Sequence, residues 1–78
     1  MLTGEQMRAA RALLRMEQRQ LAEAADVSLE TIKRLEKMEG EVTAYKATVA
    51  KIIYALEKAG VHFVDPNGLG AGVRLREK

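Results

Sequence analysis

The strongest constraint on the fold is an interruption. Residues 18–35 read QRQLAEAADVSLETIKRL, a helical run broken at Ala25-Asp26-Val27-Ser28. Apolar residues keep helical spacing on both sides, with Leu21, Ala24 and Ala25 before the break and Leu29, Ile32 and Leu35 after it. Asp26 tolerates the left-handed conformation that ends helices, and Ser28 is a good helix N-cap. The pattern predicts two short helices, about Gln18–Ala25 and Leu29–Lys37, joined by a sharp turn. A steep crossing through so short a turn needs a small residue at the close approach, which Ala22 supplies. Leu21, Ala25, Val27, Ile32 and Leu35 are placed to lock one helix on the other.

The flanks extend this pair into a small α-rich domain. Thr3-Gly4-Glu5-Gln6 reads as a capping box opening a helix to about Arg15. Met7, Ala10, Leu13 and Leu14 form its apolar stripe, with Arg8, Arg11 and Arg15 on the outer face. Glycine at Gly40 stops the third helix. Thr43 is expected to cap a fourth helix to about Ala59, packing through Tyr45, Val49, Ile52 and Leu56, with Ile53 widening the face. VHFV and VRLR flank the turn-prone DPNGLGAG and read as a β-hairpin. An isolated hairpin is marginal in water, so this one must pack on the helices or pair with another chain. Residues 1–60 thus form the helical part of one domain, and residues 61–78 a hairpin that packs or dimerises.

Composition removes several function classes. With 78 residues, no cysteine and one histidine, disulfides, thiolate metal sites and all-histidine sites are excluded, and no metal or cofactor is expected. A chain this short gains most from a partner copy. The 47% hydrophobic share argues against global disorder. No apolar run approaches a membrane span, and no signal peptide precedes the first helix, so a cytoplasmic protein is expected. No nucleophile–base set or buried carboxylate pair is apparent, Glu5, Glu17 and Glu23 being spaced as solvated helix residues, so an enzyme is not expected. His62 falls on a hairpin face, and GLGAG is no phosphate loop because no helix opens after it. Net charge is +2. Residues 1–20 carry four arginines against two glutamates, whereas residues 21–40 carry three basic against five acidic side chains. A basic surface must therefore be assembled by folding.

The stretch LLRMEQRQLAEAADVSLETIKRLEKMEG, and within it Q-x-x-LA-x-x-A-x-VS-x-x-TI-x-R-LE, resembles the helix-turn-helix of lambda-repressor/Cro-like (XRE-type) transcriptional regulators. The resemblance covers about residues 3–59 and extends loosely to AGVHFVDPNGLGAGVRLR. It implies a mainly α, four-helix lambda-repressor-like domain followed by a C-terminal β-hairpin. It also implies a double-stranded DNA partner and a sequence-specific regulator, a repressor on a near-palindromic operator. Two positions depart from the pattern: Glu17 stands where a serine or threonine cap is usual, and Asp26 where glycine is usual.

In such a module the second helix of the pair enters the major groove. By the resemblance, Leu29, Glu30, Lys33 and Arg34 meet base edges. Arg34 suits a guanine, Glu30 a cytosine amino group and Leu29 a thymine methyl. Arg15, Gln18, Arg19, Ser28, Thr31, Thr43 and Lys46 are the phosphate-contacting set, fixing position rather than sequence. Glu30 and Arg34 also have the spacing of a surface ion pair. A homodimer is expected through the C-terminal third, with Tyr54, Val61, Phe63, Val73 and Leu75 as contacts. Small domains of this kind also serve as antitoxins, and the acidic excess at residues 21–40 would suit a toxin with a basic face as partner.

Overall fold

A computed structural model describes residues 2–77. Four helices are followed by a two-stranded antiparallel hairpin: α1 Gly4–Leu14, α2 Gln18–Ala25, α3 Leu29–Glu36, α4 Lys46–Lys58, β1 Val61–Val64 and β2 Gly72–Leu75. The expected capping box opens α1. Thr3 Oγ1 accepts from the Gln6 N–H at 3.0 Å, and Gln6 Oε1 accepts from the Thr3 N–H at 2.9 Å. The turn after α2 places Asp26 at φ 55°, ψ 49°, the left-handed geometry its side chain tolerates. Arg15 closes α1 in the same conformation, at φ 54°.

Helix α4 begins later than its sequence suggests. Tyr45 is its N-cap, and Thr43 instead donates its backbone N–H to Met38 Sδ at 3.3 Å. The cause lies in the segment before it. Thr3 and Glu41 form an isolated antiparallel bridge, and the Val42 N–H reaches Leu2 O at 2.9 Å. That pairing holds the chain extended where a helix could otherwise start. Tyr45 consequently points into solvent, 86% exposed, and is not part of the packing face expected of it. Leu13 also leaves the α1 stripe expected of it, 40% exposed beside buried Met7 and Ala10.

The core is built from Leu2, Met7, Leu21, Ile32, Leu35, Ile52, Leu56 and Val61, all fully buried, with Ala22 and Ala25 at the α2 contacts. Burying eight such side chains at about 1.5–3 kcal/mol each is the main favourable term for a chain of this size. Gly4 marks a close approach. A Cβ there would collide with the Met38 carbonyl oxygen and lie 2.9 Å from that of Leu35, so α1 starts directly on the backbone at the end of α3.

The hairpin pairs Val61 with Leu75 and Phe63 with Val73. The Arg76 N–H continues the ladder to Gly60 O at 2.8 Å. Gln6 Nε2 donates to Gly72 O at 3.1 Å, fastening β2 to α1. Half-buried Phe63 and Val73 rest on the core. The hairpin thus packs on the helices. Val61 is fully buried in the protomer's own core and is not available as a dimer contact.

Candidate nucleic-acid interface

Helix α3 divides its eight residues between two environments. Ile32, Leu35 and Glu36 are buried, and Glu30, Lys33 and Arg34 are exposed. Its first turn is ordered by Ser28, whose Oγ accepts from the Thr31 N–H at 3.1 Å and donates to Thr31 Oγ1 at 2.8 Å. Among the described residues, Glu30, Lys33 and Arg34 make no side-chain hydrogen bond. The Glu30–Arg34 ion pair that their spacing allows is not formed; Arg11–Glu36 is the one ion pair among the described residues.

That ion pair was not foreseen, and it braces the whole arrangement. Arg11 grips Glu36 with Nε to Oε2 at 2.6 Å and Nη2 to Oε1 at 2.7 Å, while Nη1 donates to Met16 O at 3.0 Å. The Arg8 guanidinium donates to Glu36 O, so the last residue of α3 is held at both carboxylate and carbonyl. Hydrogen bonding to Glu36 raises the pKa of Arg11 above its already high ordinary value, against the opposing effect of burial. Arg11 is therefore charged at every working pH. Glu36 Oε1 also accepts from Gln18 Nε2 at 3.0 Å. One amide proton of Gln18 is thus committed inward, and the second remains for an anion. At the entry to α2, Gln20 Oε1 accepts from the Glu17 N–H at 2.7 Å, so the departure at Glu17 does not leave that turn unsatisfied.

Shallow grooves flank α3. On the α2 side, Gln18, Arg19, Leu29 and Lys33 line a depression of about 490 Å³ together with Arg11 and Glu17. On the α4 side, Thr31, Arg34, Thr43 and Tyr45 line one of about 500 Å³ with Ala44 and Thr48. The structure therefore gathers most of the expected contact residues along the two edges of one helix. Two fall elsewhere. Arg15 caps α1 outside both grooves, and Lys46 lines a different hollow, beside Leu2, Val42, Val49 and Ile53. Of the expected dimer contacts, Tyr54 is 66% and Leu75 49% exposed, whereas Phe63 and Val73 are half-buried against the chain's own core.

His62 stands exposed on the outer hairpin face opposite Arg74. Glu5, read as a solvated residue, accepts from the Gly40 N–H at 3.1 Å and pins the loop after α3. Among the described residues no group of three metal-ligating side chains comes together, and no helix is long and apolar enough to cross a membrane. No protein-family model matches the chain, and no curated protein matches it in sequence.

Proposed function

We propose that the protein is a sequence-specific binder of double-stranded DNA, acting as a transcriptional regulator of the repressor type. The α2–turn–α3 segment serves as a lambda-repressor-like helix-turn-helix with α3 as the reading helix. The observation that carries this reading is the division of α3. Its inner face is fixed by apolar packing and by the Arg11–Glu36 clamp, while Glu30, Lys33 and Arg34 project outward with no side-chain partner among the described residues. Leaving a guanidinium, an ammonium and a carboxylate unpaired on a rigidly held helix does little for stability and suits the reading of base edges. Gln18, Arg19, Ser28, Thr31 and Thr43 along the flanks then take phosphates. One such helix reads only a few base pairs, so the module works as a homodimer on half-sites about one DNA turn, roughly 34 Å, apart.

Capture and sequencing of genomic fragments at ~150 mM salt, where non-specific binding is weak, tests this reading. The wild-type chain is expected to enrich one inverted repeat. Arg34→Ala is expected to relax one symmetric position by ~1–3 kcal/mol, the worth of a bidentate guanine contact. Absence of any enriched fragment would overturn the proposal.

A further inference from the structure

Helix α4 bears a second seam at the edge of its packing face, where Ile53 touches the core and the charges at either end have no ion-pair partner among the described residues. Lys46, Ala50, Ile53 and Glu57 recur at four-three-four spacing along one seam, the repeat by which two helices pack lengthwise. Ala50 is exposed, Ile53 is half-buried, and Tyr54 stands 66% exposed alongside. The charges at the two ends are the unusual part. Lys46 is the first residue of α4 and Glu57 the last but one. Each sits at the end of the helix dipole that disfavours it. Among the described residues neither belongs to an ion pair. Their separation, about 17 Å at 1.5 Å per residue, keeps them from meeting within one helix.

We propose that this seam is the interface between two copies of the chain, α4 lying antiparallel against the partner's α4 across a two-fold axis. The inference rests on the homodimer in the reading above and gives it a surface. Lys46 then meets the partner's Glu57, and Ala50 meets the partner's Ile53, a small side chain opposite a large one. The same operation brings Lys46 to the C-terminal end of the partner's dipole and Glu57 to its N-terminal end, so the local electrostatic penalty in one copy is offset by the other. A parallel pairing would instead set Lys46 against the partner's Lys46. An unrelated protein partner gives no reason for size and charge to be complementary about a single midpoint. In this arrangement Lys46 belongs to the dimer and leaves the phosphate-contacting set, in keeping with its place outside the grooves beside α3.

Sedimentation velocity on the full chain, with Lys46→Glu, Glu57→Lys and the double variant, decides the matter. The wild type is expected to dimerise at tens of micromolar. Each single variant sets two like-charge pairs across the axis and is expected to weaken the dimer roughly tenfold or more. The double variant restores opposite charges and is expected to recover the dimer. Compensation between residues too far apart to meet in one chain has no intramolecular explanation. Circular dichroism melts accompany the series; each substitution places its charge at the favoured end of the dipole, so helicity is expected to hold. A monomeric wild type, or a double variant no better than the singles, overturns the proposal. Fragment capture is scored separately: a dimer with this charge pattern that captures no DNA overturns the DNA reading and leaves the interface, and a DNA-binding monomer does the reverse.

Discussion

Helix α1 meets its two neighbours in different ways. Towards α3 it presents Gly4 against backbone carbonyls, Arg8 and Arg11 on Glu36, and Glu5 on the Gly40 N–H. Towards the hairpin it offers one side-chain hydrogen bond, from Gln6 to Gly72 O, beside half-buried Phe63 and Val73. An apolar contact tolerates small slides and rotations at little cost. Forked, charge-assisted bonds do not, because a displacement of well under an ångström breaks both arms. The chain thus concentrates directional bonds where a helix must be held in one orientation, and uses adhesive packing where it only needs a cover.

The largest test of that contrast is Glu36→Ala. It leaves Arg11, 20% exposed, without its partner in a mostly buried position. A loss of about 3 kcal/mol is expected, the lower end for breaking a buried pair, because Arg11 retains some access to water. Urea denaturation would measure it. Replacing both partners together, Arg11→Met with Glu36→Leu, is expected to fall within about 1 kcal/mol of wild type, since apolar pairs of similar volume often match buried ion pairs. If the double variant folds well but binds captured DNA more weakly, the clamp serves orientation. If both properties survive, the contrast drawn between the two faces of α1 loses its functional meaning.

Next in size is Gly4→Ala. The added methyl group meets the Met38 carbonyl oxygen, and backbone cannot yield as a side-chain tip can. A destabilisation of about 2–3 kcal/mol is expected from overpacking. On the hairpin side, Val73→Ala removes half-buried apolar surface and is expected to cost only about 1 kcal/mol. Equal losses at the two sites, measured in the same urea series, would erase the distinction between a rigid and a permissive contact.

Much of the α2–α3 pair was legible because local signals agree with one another. The apolar spacing, the Ser28 cap and the breaking character of Asp26 all place the same boundaries, and α2 spans Gln18–Ala25 as expected. The misses share a different cause. Arg11 and Glu36 are 25 residues apart, and neither periodicity nor capping reports a pairing at that distance. A weak signal did exist. Glu36 lies four residues after Ile32 and next to Leu35, on the stripe that packs, and Arg11 lies four after Met7. A charge on a core stripe in each of two helices suggests that they meet. Thr43 failed as a cap because Leu2 and Val42 pair across the chain, a tertiary contact that overrides local cap preference. Among the expected site residues, the set on α3 came from the family resemblance, and of it Glu30, Lys33 and Arg34 are exposed while Leu29 is half-buried against the core. The removal of Val61 from the dimer surface was not legible, because burial in a hairpin depends on which face the helices cover.

The smallest expected effect concerns the turn from which the α2–α3 pair arises. Asp26 has φ 55°, which costs a non-glycine residue roughly 1 kcal/mol or slightly more. Glycine removes that strain but has more freedom to lose on folding, so Asp26→Gly is expected to stabilise the chain by about 0.5 kcal/mol net. Asp26→Asn separates conformation from charge: asparagine accepts the same geometry, keeps nearly the same shape and is neutral. Its urea midpoint is expected to match wild type. Any gain in affinity for captured DNA would then come from removing a negative charge beside Ser28, and it should shrink as salt is added. A gain that persists at high salt would mean that Asp26 acts through the angle between α2 and α3. The turn would then join the α1–α3 clamp as a rigid part of the α2–α3 unit.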